Sequence, residues 1–152
     1  MRFRAWSAAF ALLLCACGSS PSPTPSVASI TADELRTTAT AFFQGYLDCM
    51  TNPPAAAVGM VGTYCQGHSA YATTDMPAHV EVHGVAAANA DPITCSQNPS
   101  DQFSVDTPTV LSPSSGTAII VEQYNPAPVL IGLDMVKVSG KVLVDDVHCP
   151  VP

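Results

Sequence analysis

Hydrophobic residues recur at helical spacing in the first half of the chain, between Thr31 and Asn52. They lie three or four positions apart and therefore share one face of a helix. Thr31 and Glu34 match a capping box at the start of this helix, and Pro53-Pro54 must end it. The pattern predicts a long amphipathic helix with a single apolar stripe. The stripe consists of Leu35, Ala39, Phe42, Phe43, Tyr46, Leu47 and Met50.

The second half of the chain has the two-residue alternation that is typical of strands. Before it, residues 55–63 predict a second, weaker helix, because Gly59 and Gly62 lie within them. The predicted strands cover residues 79–85, 102–111, 117–124, 129–138 and 141–148. Pro108 interrupts the second of these strands, and Ser139-Gly140 is the turn of a hairpin between the last two. Helices followed by several antiparallel strands indicate an α+β fold.

The N-terminal residues have the layout of an export signal. Arg2 and Arg4 precede an apolar run over residues 5–14. This run is too short to span a membrane, and it is typical of a secretory signal peptide. The Ser- and Pro-rich residues that follow have almost nothing to bury, which predicts an extended tether up to residue 29. A single domain then occupies residues 30–152.

Residues 14–17, with the sequence Leu-Cys-Ala-Cys, resemble the lipobox of bacterial lipoproteins. In that family a small residue precedes the cysteine that receives the lipid. The resemblance implies that residues 1–16 are removed and that Cys17 carries the lipid at the start of the tether, residues 17–29. It also implies a protein anchored to the cell membrane, facing the extracytoplasmic side. Cys15 fits less well, because Leu14 precedes it. The alternative is an ordinary secretory signal with incidental cysteines.

Charge and composition exclude one class of partner. The chain has 5 Lys and Arg residues, 12 Asp and Glu residues and a net charge of −7. A nucleic-acid surface needs clustered cations, so nucleic-acid binding is not expected. Removal of residues 1–16 would leave three basic residues against twelve acidic ones, a net charge of −9. Anionic head groups would repel such a domain, so its attachment to the membrane would depend on the acyl chains.

The predicted C-terminal hairpin resembles the closing strands of the NTF2-like (SnoaL-like) superfamily. Residues 134–147 read DMVKVSGKVLVDDV, and many actinobacterial envelope members end in a strand of the type G-K-W-x-V-D-D. Here Val142 stands at the aromatic position. The resemblance implies a cone in which the N-terminal helix packs across a curved antiparallel sheet. Phe42, Phe43 and Tyr46 would line its interior and bind an apolar ligand. In the alternative, a generic α+β sandwich, these aromatic residues are simply core.

Four cysteines lie in the predicted domain, namely Cys49, Cys65, Cys95 and Cys149. An even number in an exported domain predicts disulfides, because the extracytoplasmic space is oxidising. Of the three possible pairings we favour Cys49–Cys65, which ties the first helix to the segment after the second, together with Cys95–Cys149. The absence of any C-x-x-C pair disfavours a zinc site at these cysteines.

One predicted strand carries residues that bind metals. Alternate residues of a strand share a face, so His79, Glu81 and His83 would line up as possible ligands for zinc or non-haem iron. The alternative is a solvated face opposite Val80 and Val82. Asp145 and Asp146 are adjacent on the last strand and point to opposite faces, so they cannot share a proton. They are predicted to be a solvated strand end.

The sequence contains no hydrolase elbow, phosphate loop or H-E-x-x-H motif. Some NTF2-like enzymes use a Tyr and an Asp inside the cone, but nothing in the sequence places a carboxylate beside Tyr46. His68 and His148 are expected at the surface. The prediction is a non-enzymatic domain without a cofactor that binds a small apolar ligand or a protein partner. The alternative is a metal-dependent or isomerase-like enzyme that uses the histidine face or the cone interior.

Overall fold

The computed structural model describes residues 28–83 and 90–149. Within these residues, three α-helices pack with a five-stranded antiparallel sheet, which confirms the α+β class. The helices are α1 (Ala32–Thr51), α2 (Val61–Gly67) and α3 (Met76–His83), and a 3₁₀ helix at Ala55–Ala57 precedes α2. The strands are β1 (Phe103–Val105), β2 (Thr109–Ser112), β3 (Ser115–Glu122), β4 (Val129–Val138) and β5 (Lys141–His148). None of these helices is long and apolar enough to cross a membrane.

Helix α1 begins at the predicted capping box. The Thr31 hydroxyl accepts the Glu34 N–H at 3.1 Å, and the Glu34 carboxylate accepts the Thr31 N–H at 2.8 Å. The other Glu34 oxygen lies 2.9 Å from Lys137 Nζ on β4. The hydrogen bond from Lys137 lowers the pKa of Glu34, which keeps the carboxylate charged at the positive end of the helix. The helix start is therefore tied to the sheet.

The apolar stripe of α1 packs on the inner face of the sheet, as its spacing predicts. Phe43 has no exposed surface, and its ring contacts Phe103 of β1 edge-on at 4.9 Å between centroids. Gly116 of β3 permits the close approach of α1, because a Cβ there would lie 2.5 Å from Leu35 Cδ1 and 2.8 Å from the Thr109 carbonyl oxygen. A larger residue at position 116 would force the helix and the sheet apart.

The sheet has the order β1-β3-β4-β5, and β2 also pairs with β3. Pro108 separates β1 from β2, so the predicted interruption of this strand is confirmed. Strands β4 and β5 have the predicted bounds. Ser139 and Gly140 have φ angles of 51° and 81°, the left-handed conformation that a two-residue type I′ hairpin turn requires.

The prediction of a helix over residues 55–63 is wrong in its extent. The 3₁₀ helix ends at Ala57, Gly59 has a φ of +85°, and α2 begins only at Val61. A left-handed residue interrupts the hydrogen-bond pattern of a helix, so two short helices replace the single predicted one.

The prediction of a strand over residues 79–85 is also wrong, because residues up to His83 belong to helix α3. The Thr73 hydroxyl accepts the Met76 N–H at 3.1 Å and satisfies one free donor of the first turn. Met76 and Val80, four residues apart, are both buried. The short alternation of valines and polar residues fits both periods, and tertiary packing selects the helix. Residues 84–89 lie outside the described part of the chain.

Two disulfides connect the elements. Cys49 at the end of α1 bonds to Cys65 of α2, and Cys95 bonds to Cys149 after β5. Their sequence separations are 16 and 54 residues. These are the pairs that the positions of the cysteines along the predicted elements favour.

Candidate functional site

The three aromatic residues that the sequence places in a ligand pocket differ in their surroundings. Phe42 and Phe43 have no accessible surface that a ligand could contact, so they are core residues. The prediction that they line a pocket is wrong, because the stripe of α1 closes directly onto the sheet. Tyr46 is one turn further along α1; it is also buried, with 1% exposure, and lies at the base of a cavity whose open walls come from other residues.

This cavity has a volume of about 310 Å³ and lies between α1, α2 and the segment after α2. Its walls are mainly aromatic rings and the Cys49–Cys65 disulfide. The lining residues are Gly45, Tyr46, Cys49, Tyr64, Cys65, His68, Ser69, Ala70 and Tyr71. None of them is Asp, Glu, Lys or Arg. The site therefore suits a neutral molecule more than an ion.

The ring pair on α2 forms one wall of the cavity. Tyr64 and His68 are one helical turn apart, and their rings stack with centroids 3.9 Å apart and planes 8° apart. His68 Nδ1 donates to the Tyr64 carbonyl oxygen at 2.9 Å, which fixes the orientation of the imidazole. His68 is exposed, as predicted, but it also contributes to the cavity wall.

Gly45 and Tyr71 lie on two sides of the cavity. Gly45 lies on α1, and a Cβ at this position would meet no atom within 4 Å. Tyr71 lies on the opposite wall and is 44% exposed. Its carbonyl oxygen accepts the Val144 N–H at 2.8 Å, so the segment that carries Tyr71 is anchored to the edge of β5. This hydrogen bond fixes the position of the wall that carries Tyr71 relative to the sheet.

A carboxylate does lie beside Tyr46, contrary to the sequence-based expectation. The Tyr46 hydroxyl donates to Asp91 Oδ2 at 2.5 Å. Burial and the Asp91 charge raise the pKa of Tyr46, so the phenol stays protonated. The other Asp91 oxygen accepts the N–H groups of Ile93 and Thr94, both at 2.9 Å. The pair connects α1 to the loop before Cys95, and a separation of 45 residues gives no local signal of it.

A second carboxylate, that of Glu122, lies in the interior and is not among the predicted site residues. It lies on the inner face of β3 with no exposed surface. Its Oε1 accepts the Ser100 N–H at 2.6 Å, and its Oε2 has no hydrogen-bond partner among the described residues. Burial is the main cause that raises its pKa to about 7, and the Asp91 charge adds to it. Its alternation with Gly116, Ala118 and Ile120 is the one available indication that it faces inward.

The proposed row of metal ligands on the strand at residues 79–85 does not form. His79 belongs to helix α3, and alternate residues of a helix do not share a face as those of a strand do. His79 Nδ1 donates to the Asp145 carbonyl oxygen at 2.8 Å and lies 3.6 Å from Asp145 Oδ2. The hydrogen bond to Asp145 raises the pKa of His79. The side chains of Glu81 and His83 lie outside the described residues.

A different set of metal-binding residue types meets on the outer face of the β4-β5 hairpin. His148 Nε2 lies 2.9 Å from Asp134 Oδ2 and 3.7 Å from Asp146 Oδ2. Asp146 is buried, with 7% exposure, so the prediction of a solvated strand end is wrong for this residue. Sequence reasoning missed the cluster because its residues come from two strands and depend on their exact register.

No family model, curated protein or solved structure matches this chain.

Proposed function

We propose that the protein is a membrane-anchored envelope lipoprotein whose single domain binds a small apolar ligand. The observation that carries this proposal is the aromatic cavity between α1 and α2. The fold is proposed to be NTF2-like. The order of elements supports this, since a long N-terminal helix packs across an antiparallel sheet that ends in a hairpin.

The cavity favours a neutral ligand with at least one flat ring. Its volume of about 310 Å³ is at the lower end of the range for small-molecule sites. Tyr64, His68 and Tyr71 offer ring faces and edges that stack on planar or apolar groups. The Ser69 hydroxyl, which accepts the Tyr71 N–H at 3.2 Å and can still donate, and the Tyr71 phenol are polar groups that can orient such a ligand. A small number of polar groups in an aromatic pocket is the usual composition of a binding site.

Export to an oxidising compartment is supported by the two disulfides. Disulfides persist in extracytoplasmic proteins and are rare in the cytosol. The membrane anchor itself is proposed from the lipobox-like residues that end at Cys17, which lie outside the described part of the chain. The tether over residues 17–29 would then lead from the membrane to the domain at Ile30, whose N–H donates to the Pro113 carbonyl oxygen.

Filling the cavity tests the ligand site. In the Gly45→Leu variant the new side chain enters empty space, and leucine favours a helix by about 0.5–1 kcal/mol over glycine. We expect this variant to fold at least as stably as the wild-type protein and to lose binding of indole and phenol, measured by protein NMR titration. The Gln44→Leu variant changes the neighbouring exposed position of α1, which does not line the cavity, and should bind as the wild-type protein does. Equal binding by the Gly45→Leu variant would refute this site.

The anchor is tested by changing the two candidate cysteines separately. We expect the Cys17→Ala variant to leave the membrane fraction and to lose incorporation of labelled palmitate, because the thiol that receives the lipid is absent. A single lipidated residue supplies the whole attachment, since an acidic domain gains nothing from anionic lipids. The Cys15→Ala variant is the matched control and should stay membrane-bound and labelled. Labelling that survives in the Cys17→Ala variant would contradict the assignment of this cysteine.

A further inference from the structure

We propose that Asp134, Asp146 and His148 form a zinc site on the outer face of the β4-β5 hairpin. This site is independent of the aromatic cavity and of the lipid anchor. The register of the two strands builds it. Asp134 pairs directly with Asp146, and Gly132, two positions earlier on β4, pairs with His148. All three side chains therefore lie on the same face of the sheet.

A β-bulge is what brings Asp146 to this face. The register shifts between Asp134 and Met135, where Met135 pairs with Val144 and Asp134 pairs with Asp146. Asp145 is thus an extra residue in β5. In a regular ladder Asp145 would face Asp134, and Asp146 would point to the core. Bulges re-aim side chains in this way, and they are frequent beside functional sites.

The geometry of the donor atoms suits a zinc ion. The three ligand atoms all lie within 4.8 Å of one another, and His148 Nε2 lies 2.9 Å from Asp134 Oδ2 and 3.7 Å from Asp146 Oδ2. Tetrahedral zinc with bonds of about 2.0–2.1 Å places its ligands about 3.3 Å apart. The two separations from His148 Nε2 lie within about half an ångström of this spacing, so the imidazole and each carboxylate can approach one ion with small side-chain movements. Three protein ligands leave the fourth position for water.

The electrostatics of the cluster also favour a cation. Like charges on directly opposed residues of neighbouring strands repel each other. Asp134 and Asp146 are such a pair. The side chain of Asp146 has only 10% exposure, so water screens its charge poorly. Its Oδ1 accepts the Val147 N–H at 2.8 Å, which orients Oδ2 towards His148.

The space above Gly132 gives the imidazole room to adjust. A Cβ at position 132 would contact His148 Cβ at 3.4 Å and His148 Cδ2 at 3.9 Å, so the ring lies over a residue without a side chain. To bind zinc, neutral His148 gives up its hydrogen bond with Asp134 and presents the Nε2 lone pair to the metal. Asp134 is exposed, so it can rotate to follow the ion.

Titration of the intact protein with zinc tests the proposal. Free thiols are first alkylated so that they cannot bind the metal. We expect calorimetry to give one zinc ion per chain, and NMR to show a shift of the His148 imidazole resonances. The Asp134→Asn and His148→Ala variants should each bind zinc about tenfold more weakly or worse. The His79→Ala variant is the matched control, because His79 also lies beside an aspartate, Asp145, but the described residues complete no three-ligand cluster around it. It should bind zinc with unchanged affinity.

Two results would overturn the proposal. One is a folded wild-type protein that takes up no zinc, and the other is equal zinc affinity in the wild-type protein and in both the Asp134→Asn and His148→Ala variants. Asp134 is exposed, so its replacement by asparagine should leave the fold intact, and circular dichroism checks this. Loss of indole binding in the cavity variant would have no bearing on the zinc result, so failure of one proposal is distinguishable from failure of the other.

Discussion

Removal of the Cys95–Cys149 disulfide is expected to lower the free energy of unfolding by about 4 kcal/mol. The bond closes a loop between residues 54 positions apart, and a loop of this length removes that amount of chain entropy from the unfolded state. It also holds the loop that carries Asp91, the hydrogen-bond partner of Tyr46, against the end of β5. Urea unfolding of the Cys95→Ala/Cys149→Ala double variant measures the change.

The second disulfide, Cys49–Cys65, closes a shorter loop, so its removal should cost less stability than removal of Cys95–Cys149. Removal of Cys49–Cys65, with a separation of 16 residues, is expected to cost about 3 kcal/mol by the same entropy relation. Treatment with a reductant should destabilise the wild-type protein more than either double variant. The wild-type protein has two disulfides to lose, whereas each variant has only one. A change below about 1 kcal/mol in the Cys95→Ala/Cys149→Ala variant would show that the loop contributes little to the folded state.

Replacement of Glu122 by glutamine is expected to stabilise the protein by about 1–3 kcal/mol at pH 8 and to change it little at pH 4. Burial raises the pKa of Glu122 from its ordinary value of 4.5 to about 7 in the folded protein. Between these two values the folded state keeps a proton that the unfolded state has released. The wild-type protein therefore loses stability as the pH rises from 4.5 to 7. Above about pH 7, Glu122 is ionised in both the folded and the unfolded state, so the loss of stability no longer changes with pH.

The structure explains why glutamine fits at this position. Its amide oxygen can keep the hydrogen bond from the Ser100 N–H, and no charge remains in the core near Asp91. Unfolding by urea at several pH values between 4 and 8 gives the comparison. Asp101→Asn, which neutralises an exposed acid beside β1, is the control and should leave the pH dependence of the wild-type protein unchanged. If the Glu122→Gln variant has the same pH dependence as the wild-type protein, Glu122 does not titrate in this range.

The elements that the sequence predicts well are those with strong local signals. Helix α1 has a capping box, a long apolar stripe and a terminating proline pair, and all three signals agree. The β4-β5 hairpin combines alternation over many residues with a turn that needs the left-handed conformation at Gly140. Local preferences and tertiary packing favour the same conformation in these elements, so local reasoning is sufficient.

The weaker predictions fail where a short pattern fits two periods. The residues from His79 onwards alternate for only a few positions, and the burial of Met76 and Val80 together with a cap from Thr73 selects a helix. The same limit applies to the predicted pocket. Phe42 and Phe43 face the interior as expected, but whether the interior is filled depends on how closely α1 approaches Gly116 of β3.

The sequence alone determined the α+β class, the first helix, the final hairpin and the preferred disulfide pairs, because each depends on the spacing of residues along the chain. The tertiary structure alone decided which polar groups meet. Asp91 joins Tyr46 across 45 residues, and a bulge at Asp145 turns Asp146 towards Asp134 and His148. Contacts of this kind depend on strand register and loop placement to within one residue, and the packing of the complete domain sets both.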